Sequence, residues 1–166
     1  MNLAVLESVP LFRAANFPVR FVLQSGAAQY EEIARRAAEA GLPGEVVPFL
    51  DDMPAAFARA DLLLCRAGGT IAEVAAAGKP AILVPLPFAA DDHQRKNAEV
   101  LAKAGAARMA LDREMGGRRL FEEIVNLASD REAMRLMGDA ARQFARPGAA
   151  RRAADVMEEV KKPGKY

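Results

Sequence analysis

Residues 62–85 read LLLCRAGGTIAEVAAAGKPAILVP, and this pattern indicates a strand, a helix and a second strand. The apolar run 62–65 stops at a glycine pair, residues 70–77 are rich in helix-forming alanine and end at Gly78, and residues 80–85 are apolar again. Two buried strands joined through a helix pair in parallel within one sheet. The segment therefore predicts a strand–helix–strand unit.

The same alternation extends to both sides of this unit. On the N-terminal side we expect a helix over 2–15 that bends or ends near Pro10, a strand over 19–23 and a helix over 29–40 closed by Gly41. An edge strand over 46–50 and a short aspartate-capped helix from 51 should follow. On the C-terminal side we expect a helix, a short strand and further helices broken near 129–130 and 147–148, over residues 91–104, 107–111 and 118–159. This order predicts an α/β fold, a parallel sheet with helices on both faces.

The composition fits a single folded domain. The chain has 166 residues, 52% hydrophobic and 27% charged, which suffices for a core and excludes a disordered protein. Its 23 basic and 22 acidic side chains give a net charge of +1, which argues against nucleic acid as a partner. One cysteine excludes an internal disulfide and a multi-cysteine metal site. Without a signal peptide or an apolar run of about 18 residues, we expect a cytoplasmic protein, with one domain over 1–160 and a tail over 161–166.

The first candidate site is the glycine pair Gly68-Gly69 with Thr70, between a predicted strand and a helix. Glycines let a ligand approach the backbone, and a helix start offers unpaired N–H groups and the positive end of the helix dipole. Ligands bind at the carboxyl ends of strands in open α/β sheets, which is where this loop lies. Two interpretations stay open, a phosphate-binding loop and a tight turn without a ligand.

Glu73 lies three residues after Thr70 and also allows two roles. The two residues have the spacing of a capping box, in which their side chains satisfy the first N–H groups of the helix. An acidic side chain near a nucleotide-binding loop can instead accept hydrogen bonds from ribose hydroxyls. Spacing alone favours the cap.

The third candidate is the polar loop that follows residues 80–85 and contains the single histidine of the chain, His93. Asp91, Asp92 and His93 are adjacent in sequence and cannot all face one metal ion from a regular helix, so no metal site is predicted. Cys65 and His93 form a thiol–imidazole pair only if they meet in space. The three leucines before Cys65 favour an inert, buried thiol instead.

Short motifs run in order along the chain: FLDDM at 49–53, CRAGGTIAE at 65–73, AAAGKP at 75–80, VP at 84–85, DHQ at 92–94, NA at 97–98 and AGA at 104–106. In this order and spacing they resemble the C-terminal domain of the MurG family, over residues 2–160. Enzymes of this family transfer N-acetylglucosamine from UDP-N-acetylglucosamine to lipid I and so form lipid II for peptidoglycan. The resemblance implies half of a two-domain GT-B fold, a Rossmann-like parallel sheet that binds the nucleotide sugar. It also implies a place on the cytoplasmic face of the inner membrane, with only peripheral membrane contact.

The resemblance also implies roles for individual residues. Phe49 and Leu50 would border the uracil, with the Leu50 backbone bonding to the base, and Glu73 would hold the ribose hydroxyls. Gln94 and His93 would contact the sugar hydroxyls. Gly68, Gly69 and Thr70 would line the diphosphate, and Asn97 would support the sugar loop. Ile71 and Ala72 would belong to the same substrate-binding site. No cofactor, metal ion or catalytic residue is implied for this chain, because the family's base and its lipid I surface belong to an N-terminal domain.

Two departures from the family pattern are visible. The stretch from Arg66 to Glu73 is one residue shorter than usual, which leaves open how Gly68 and Gly69 align. The family's N-terminal domain, the first strand of its C-terminal half and a Gly-Gly-Ser loop are not found before residue 2. Because that strand is central, its loss leaves unpaired backbone groups on two inner strands. We therefore expect the chain alone to be poorly stable or rearranged, and inactive as a transferase.

Other interpretations fit the same residues. One is the donor-binding subunit of a two-chain glycosyltransferase, as in the eukaryotic dolichol-linked N-acetylglucosaminyltransferase, although the motifs at 92–98 fit the MurG family better. Another is a non-enzymatic module that binds UDP without preference for a sugar. A third is that Met1 is not the true start and the protein is longer.

Overall fold

A computed structural model describes residues 1–88 and 92–161. Its strands lie at Phe21–Gln24 (β1), Gly44–Val47 (β2), Leu63–Cys65 (β3), Ala81–Leu83 (β4) and Arg108–Met109 (β5). Its α-helices lie at Asn2–Ala14 (α1), Tyr30–Ala40 (α2), Met53–Arg59 (α3), Thr70–Ala77 (α4), His93–Lys103 (α5), Gly117–Ala128 (α6), Arg131–Arg142 (α7) and Ala149–Lys161 (α8). Short 3-10 helices occupy Ala27–Gln29 and Asp112–Glu114. This alternation confirms the predicted α/β class.

The strands form two parallel sheets. One contains β1 and β2, and in the other β4 lies between β3 and β5. Side chains from both sheets, among them Leu23 and Leu64, pack into one cluster with Ile82. In the part of the chain that the structure describes, no strand lies between β1 and β3. The sheet is therefore divided between β1 and β3. These are the two inner strands for which we expect a missing neighbour from the sequence.

Each of these inner strands keeps one open edge. On β1 the N–H groups of Phe21 and Ser25 donate towards β2 at 2.8 and 2.9 Å, so Val22 between them directs its backbone groups to the opposite edge. On β3 the Leu63 N–H donates towards β4 at 3.0 Å, and Leu64 is turned to the open edge in the same way. Val22, the residue turned to this edge, is 46% exposed.

Helices cover both faces of the larger sheet, as predicted. Along β4 and just beyond it the side chains alternate, since Leu83 packs into one hydrophobic cluster and Ile82 and Val84 into the other. The first cluster collects residues from α3, α4, α5 and α7, whereas the second collects residues from α1, α6 and α7. The core thus lies on both sides of β4. Because β3, β4 and β5 are parallel, their carboxyl ends lie at the same edge of the sheet.

One predicted strand needs correction, and one predicted helix is decided between two alternatives. The strand expected over 46–50 lies at Gly44–Val47, and its pairing with β1 ends where the Val47 carbonyl accepts the Ser25 N–H at 2.9 Å. Its predicted edge position is confirmed, since β2 pairs with β1 alone in the described part of the chain. The first helix lies at Asn2–Ala14, close to the predicted range 2–15, and of the two predicted outcomes at Pro10 it does not end there, since the exposed proline lies inside it. The other strands lie within the predicted ranges or extend one residue beyond them.

Most helix ends agree with the sequence. Gly41 and Gly78 end α2 and α4 in the left-handed conformation, with φ of 67° and 60°. The carboxylate of Asp52 accepts a hydrogen bond from the Ala55 N–H at 2.9 Å and caps α3. The break between α6 and α7 falls at 129–130 as predicted, whereas the break before α8 is longer than predicted and covers residues 143–148. Residues 89–91, the predicted start of α5, and 162–166, most of the predicted tail, lie outside the described residues.

Across residues 1–88 and 92–161, no helix has both the length and the apolar character needed to cross a membrane.

Candidate functional site

A depression of about 350 Å³ lies beyond the carboxyl end of β3, between the start of α4 and one side of α5. Its lining contains five of the predicted site residues and two further apolar ones: Gly68, Gly69, Ile71, Ala72, Asn97, Val100 and Leu101. The fold therefore brings the glycine loop and α5 to one surface, as expected for the strand ends of an open α/β sheet.

The glycine loop turns the chain from β3 directly into α4. Gly69 is the N-cap residue, and the Ile71 N–H donates to the Gly68 carbonyl at 3.2 Å to close the first turn. Within residues 1–88 and 92–161, the N–H groups of Gly69 and Thr70 have no hydrogen-bond acceptor. Unpaired N–H groups at the positive end of a helix dipole can hold an anion such as phosphate.

The predicted capping box between Thr70 and Glu73 is wrong. The helix has Gly69 as its N-cap, and no side chain caps its first turn. Thr70 is therefore the first helical residue, and Glu73 lies one position beyond the place from which a glutamate reaches back to the cap. Glu73 is exposed, and its carboxylate remains available on the surface beside the loop.

Gln94 lies in the first turn of α5 with its carboxamide held in one orientation. Its Oε1 accepts a hydrogen bond from the Leu86 N–H at 3.0 Å. Its Nε2 lies against the glycine loop, 3.7 Å from the position that a Cβ on Gly68 would take. The amide therefore presents N–H groups beside the loop.

His93 and Asn97 begin and continue the same helix, and both are exposed. Asp92, the residue before α5, has a φ of 55° and lies 4.0 Å from Arg95 across an ion pair. Asp91 lies outside the described residues. In the described parts of the chain no group of three histidine, cysteine, aspartate or glutamate side chains could hold a metal ion.

Phe49 and Leu50 follow β2 and precede α3. Phe49 is 65% exposed, and the Leu50 N–H donates to Oε1 of Gln24 at 3.1 Å. Gln24 ends β1, so its side chain fixes the loop that carries both residues. Since α3 packs against α4, this loop and the glycine loop are joined through neighbouring helices. The sequence did not single out Gln24, because its partner is 26 residues away.

Cys65 is half-buried at the end of β3. Burial, and secondarily the negative charge of Glu73, raise the pKa of the thiol to about 11. The side chain therefore stays a protonated thiol at neutral pH, which agrees with the predicted inert cysteine.

One ion pair at this edge was missed from the sequence. Nη1 of Arg66, directly after β3, donates to Oδ1 of Asp112 at 2.5 Å. The same nitrogen donates to the carbonyls of Val84 and Pro85 at 3.2 and 3.4 Å. Arg66 belongs to a recognised motif but had no assigned role, and Asp112 gives no local signal because it lies 46 residues further on.

Comparison with known proteins agrees with this geometry. The sequence profile of the glycosyltransferase family 28 C-terminal domain matches residues 1–159. A protein of Solibacter usitatus named UDP-N-acetylglucosamine–N-acetylmuramyl-(pentapeptide) pyrophosphoryl-undecaprenol N-acetylglucosamine transferase is 56% identical over 98% of this chain and 45% of its own length. A protein of Trichlorobacter lovleyi with the same name is 45% identical over 87% of this chain and 38% of its own length.

Solved structures show the same likeness. The crystal structure of MurG from Acinetobacter baumannii superposes with a TM-score of 0.79 at 37% identity, over 94% of this chain and 46% of that one. The glycotransferase of kitacinnamycin superposes with a TM-score of 0.65 at 28% identity, over 93% and 38%. The chain spans less than half the length of these curated relatives and solved structures. Because the profile covers nearly every residue and the fold agrees, the chain belongs to the glycosyltransferase family 28 C-terminal domain family.

Proposed function

We propose that this chain is the donor-binding part of an N-acetylglucosaminyltransferase that uses UDP-N-acetylglucosamine and lipid I. The observation that carries the proposal is the start of α4, where the N–H groups of Gly69 and Thr70 lie open beside the carboxamide of Gln94. The names of the relatives supply the donor, the transferred sugar and a lipid-linked acceptor. A nucleotide sugar needs an anion site next to a hydrogen-bonding site for hydroxyls, and this edge of the sheet offers both.

The diphosphate takes the place in front of the glycine loop. The N–H groups of Gly69 and Thr70 donate to its oxygens, and Ile71 and Ala72 form the adjoining wall of the depression. In the reaction the acceptor hydroxyl attacks the anomeric carbon, the bond between that carbon and the phosphate oxygen breaks, and its electron pair leaves with UDP. The positive end of α4 stabilises the charge that develops on the leaving diphosphate.

The nucleoside lies between the glycine loop and the loop after β2. Glu73 is exposed beside the glycine loop, and its carboxylate accepts hydrogen bonds from the ribose hydroxyls. The exposed ring of Phe49 provides an apolar surface for the uracil. Because the Leu50 N–H is already held by Gln24, we assign the base contact of Leu50 to its carbonyl, which accepts the N3–H of uracil.

The sugar lies towards α5. With Oε1 of Gln94 bonded to Leu86, its Nε2 is the group left to donate to the sugar hydroxyls. His93 precedes it on the exposed side of the same turn, and Asn97 follows one turn later on the wall of the depression. No group of this chain is proposed as the base that takes the acceptor proton. We place that base and the lipid I surface in a further domain, at the cytoplasmic face of the inner membrane where the undecaprenol lipid lies.

Calorimetric titration of the chain with UDP-N-acetylglucosamine and with UDP tests the proposal. We expect saturable binding of both and tighter binding of the nucleotide sugar. Glu73→Ala should weaken both about ten- to a hundredfold, since it removes hydrogen bonds to a charged acceptor. The matched control is Glu132→Ala, which removes an exposed first-turn glutamate from α7.

The outcomes separate the candidate functions. Absence of binding, or unchanged affinity in Glu73→Ala, contradicts the proposed donor site. Equal affinity for UDP and for the nucleotide sugar favours a module that binds UDP without sugar preference.

A further inference from the structure

Arg66 and Asp112 connect three strand ends at the proposed donor site. Arg66 follows β3, its carbonyl partners Val84 and Pro85 follow β4, and Asp112 begins the short helix after β5. Both side chains of the ion pair are about one-third exposed, so the pair lies at the rim of the core rather than on the open surface.

The contacts continue from this ion pair to the sugar site. Pro85, whose carbonyl accepts from Arg66, is followed by Leu86, whose N–H donates to Oε1 of Gln94. Nε2 of Gln94 then lies against Gly68. Gly68 is two residues after Arg66 in the chain, so the contacts close a ring that contains the glycine loop and the loop before α5.

We infer that Arg66 and Asp112 are positioning residues that fix the carboxamide of Gln94 and so set the preference of the site for the sugar. The inference rests on the proposed function. We assign neither side chain a contact with the donor, since Nη1 of Arg66 bonds to the Asp112 carboxylate and to two carbonyls of the neighbouring backbone. Their effect passes through the backbone of residues 84–86.

The carboxylate is required because it holds the guanidinium in place. With Asp112 replaced by asparagine, the contact to Arg66 loses its charge, and the guanidinium is free to leave the two carbonyls. The loop before α5 then loses a tether next to Leu86, and the Gln94 amide loses its single orientation. The anion site keeps its own N–H groups, since they belong to the start of α4.

The test compares two ligands in each variant by calorimetry. For Asp112→Asn we expect the affinity for UDP-N-acetylglucosamine to fall about three- to tenfold, the factor expected from one well-placed hydrogen bond. The affinity for UDP should stay within about twofold or increase, because the released guanidinium adds positive charge near the glycine loop. Arg66→Lys should shift the ratio in the same direction, since the lysine side chain is one atom shorter and its ammonium does not reach the position of Nη1, from which all three contacts are made.

A spectroscopic measurement tests the positioning without ligand. In ¹⁵N-labelled chain, Asp112→Asn should shift the Leu86 amide signal and the side-chain NH₂ signals of Gln94. The matched control is Asp139→Asn, which also removes a carboxylate paired with arginines, on α7. It should change neither the ligand ratio nor these signals, and thermal unfolding of all variants reports their stability.

The outcomes distinguish failure of the proposed function from failure of the positioning role. If the wild-type chain binds no UDP-N-acetylglucosamine, the proposed function fails and this inference fails with it. If the wild type binds but Asp112→Asn weakens UDP and the nucleotide sugar equally, or leaves both unchanged, the positioning role alone is overturned. Unshifted Gln94 signals in Asp112→Asn overturn it as well.

Discussion

Replacing Gly69 by alanine separates what the fold needs from what a ligand needs. Gly69 is the N-cap of α4 with φ −57° and ψ −31°, values that any L-residue adopts. Among the described residues, no atom lies within 4 Å of a Cβ added there. A turn that requires glycine for its own geometry shows positive φ or a close contact, and Gly69 shows neither. The empty protein therefore has room for the methyl group.

The expected change in stability is small. Alanine lowers the entropy of the unfolded chain, which stabilises the protein by about 0.4–1 kcal/mol. Alanine is less favourable than glycine at an N-cap by up to about 1 kcal/mol, and the two effects nearly cancel. A phosphate oxygen, in contrast, must come within about 3 Å of the Gly69 nitrogen, and the methyl group projects into that open space. We expect the affinity for UDP to fall at least about tenfold, or about 1.4 kcal/mol.

Thermal unfolding and calorimetric titration with UDP measure the two effects separately. The control is Gly116→Ala, because Gly116 is the N-cap of α6, has φ −98°, and its added Cβ comes no closer than 3.9 Å to Oε2 of Glu7. Both quantities should stay unchanged in the control. If Gly69→Ala unfolds well below the wild type, the glycine serves the turn, and if it binds UDP like the wild type, no phosphate approaches the backbone there. Either result refutes the reasoning.

Three further measurements test other parts of the structure. In Gly138→Ala an added Cβ would lie 2.5 Å from the Gly78 carbonyl oxygen, so α7 must move away from α4. Urea unfolding should then show a free energy of unfolding lower by about 1–3 kcal/mol, and an unchanged midpoint contradicts this packing. Alkylation of Cys65 should follow a pKa of about 11, and Glu73→Gln should lower that pKa by removing a nearby negative charge, whereas an identical pH profile would rule out that cause. The open edges of β1 and β3 predict a free energy of unfolding below the typical range of about 5–15 kcal/mol, and a cooperative urea transition within that range would contradict the expectation.

The elements that local chemistry specifies are predictable from the sequence. Gly78 in the left-handed conformation ends α4 at the expected residue, and Asp52 caps α3 as predicted. Strand ends are less predictable, because they depend on which N–H groups find a partner. The predicted run at 46–50 is apolar, yet the Val47 carbonyl accepts the last hydrogen bond from the β1 backbone, and the Leu50 N–H bonds to the Gln24 side chain instead.

The candidate site shows the same contrast. The position of Gly68 and Gly69 follows from their place in the sequence, between a strand and a helix. Such a glycine pair lies at the edge of the sheet whatever the path of the following chain. The capping role of Thr70 is wrong because the helix has Gly69 as its N-cap, a shift of one residue that spacing does not resolve. The Arg66–Asp112 and Gln24–Leu50 contacts join residues from different strand ends, and only the assembled sheet shows them.

The division of the sheet has a consequence for how the site works. Phe49 and Leu50 follow β2 in the smaller sheet, whereas the glycine loop and Gln94 follow β3 and β4 in the larger one. A nucleotide sugar bound as proposed contacts both, with its uracil on one and its diphosphate and sugar on the other. The uracil contacts then contribute to binding only when the two sheets keep their relative position. The shared cluster around Ile82 and the packing of α3 on α4 maintain that position. Ligand binding should consequently stabilise the divided sheet, because the bound nucleotide sugar connects the two sheets where no strand of the described chain connects them.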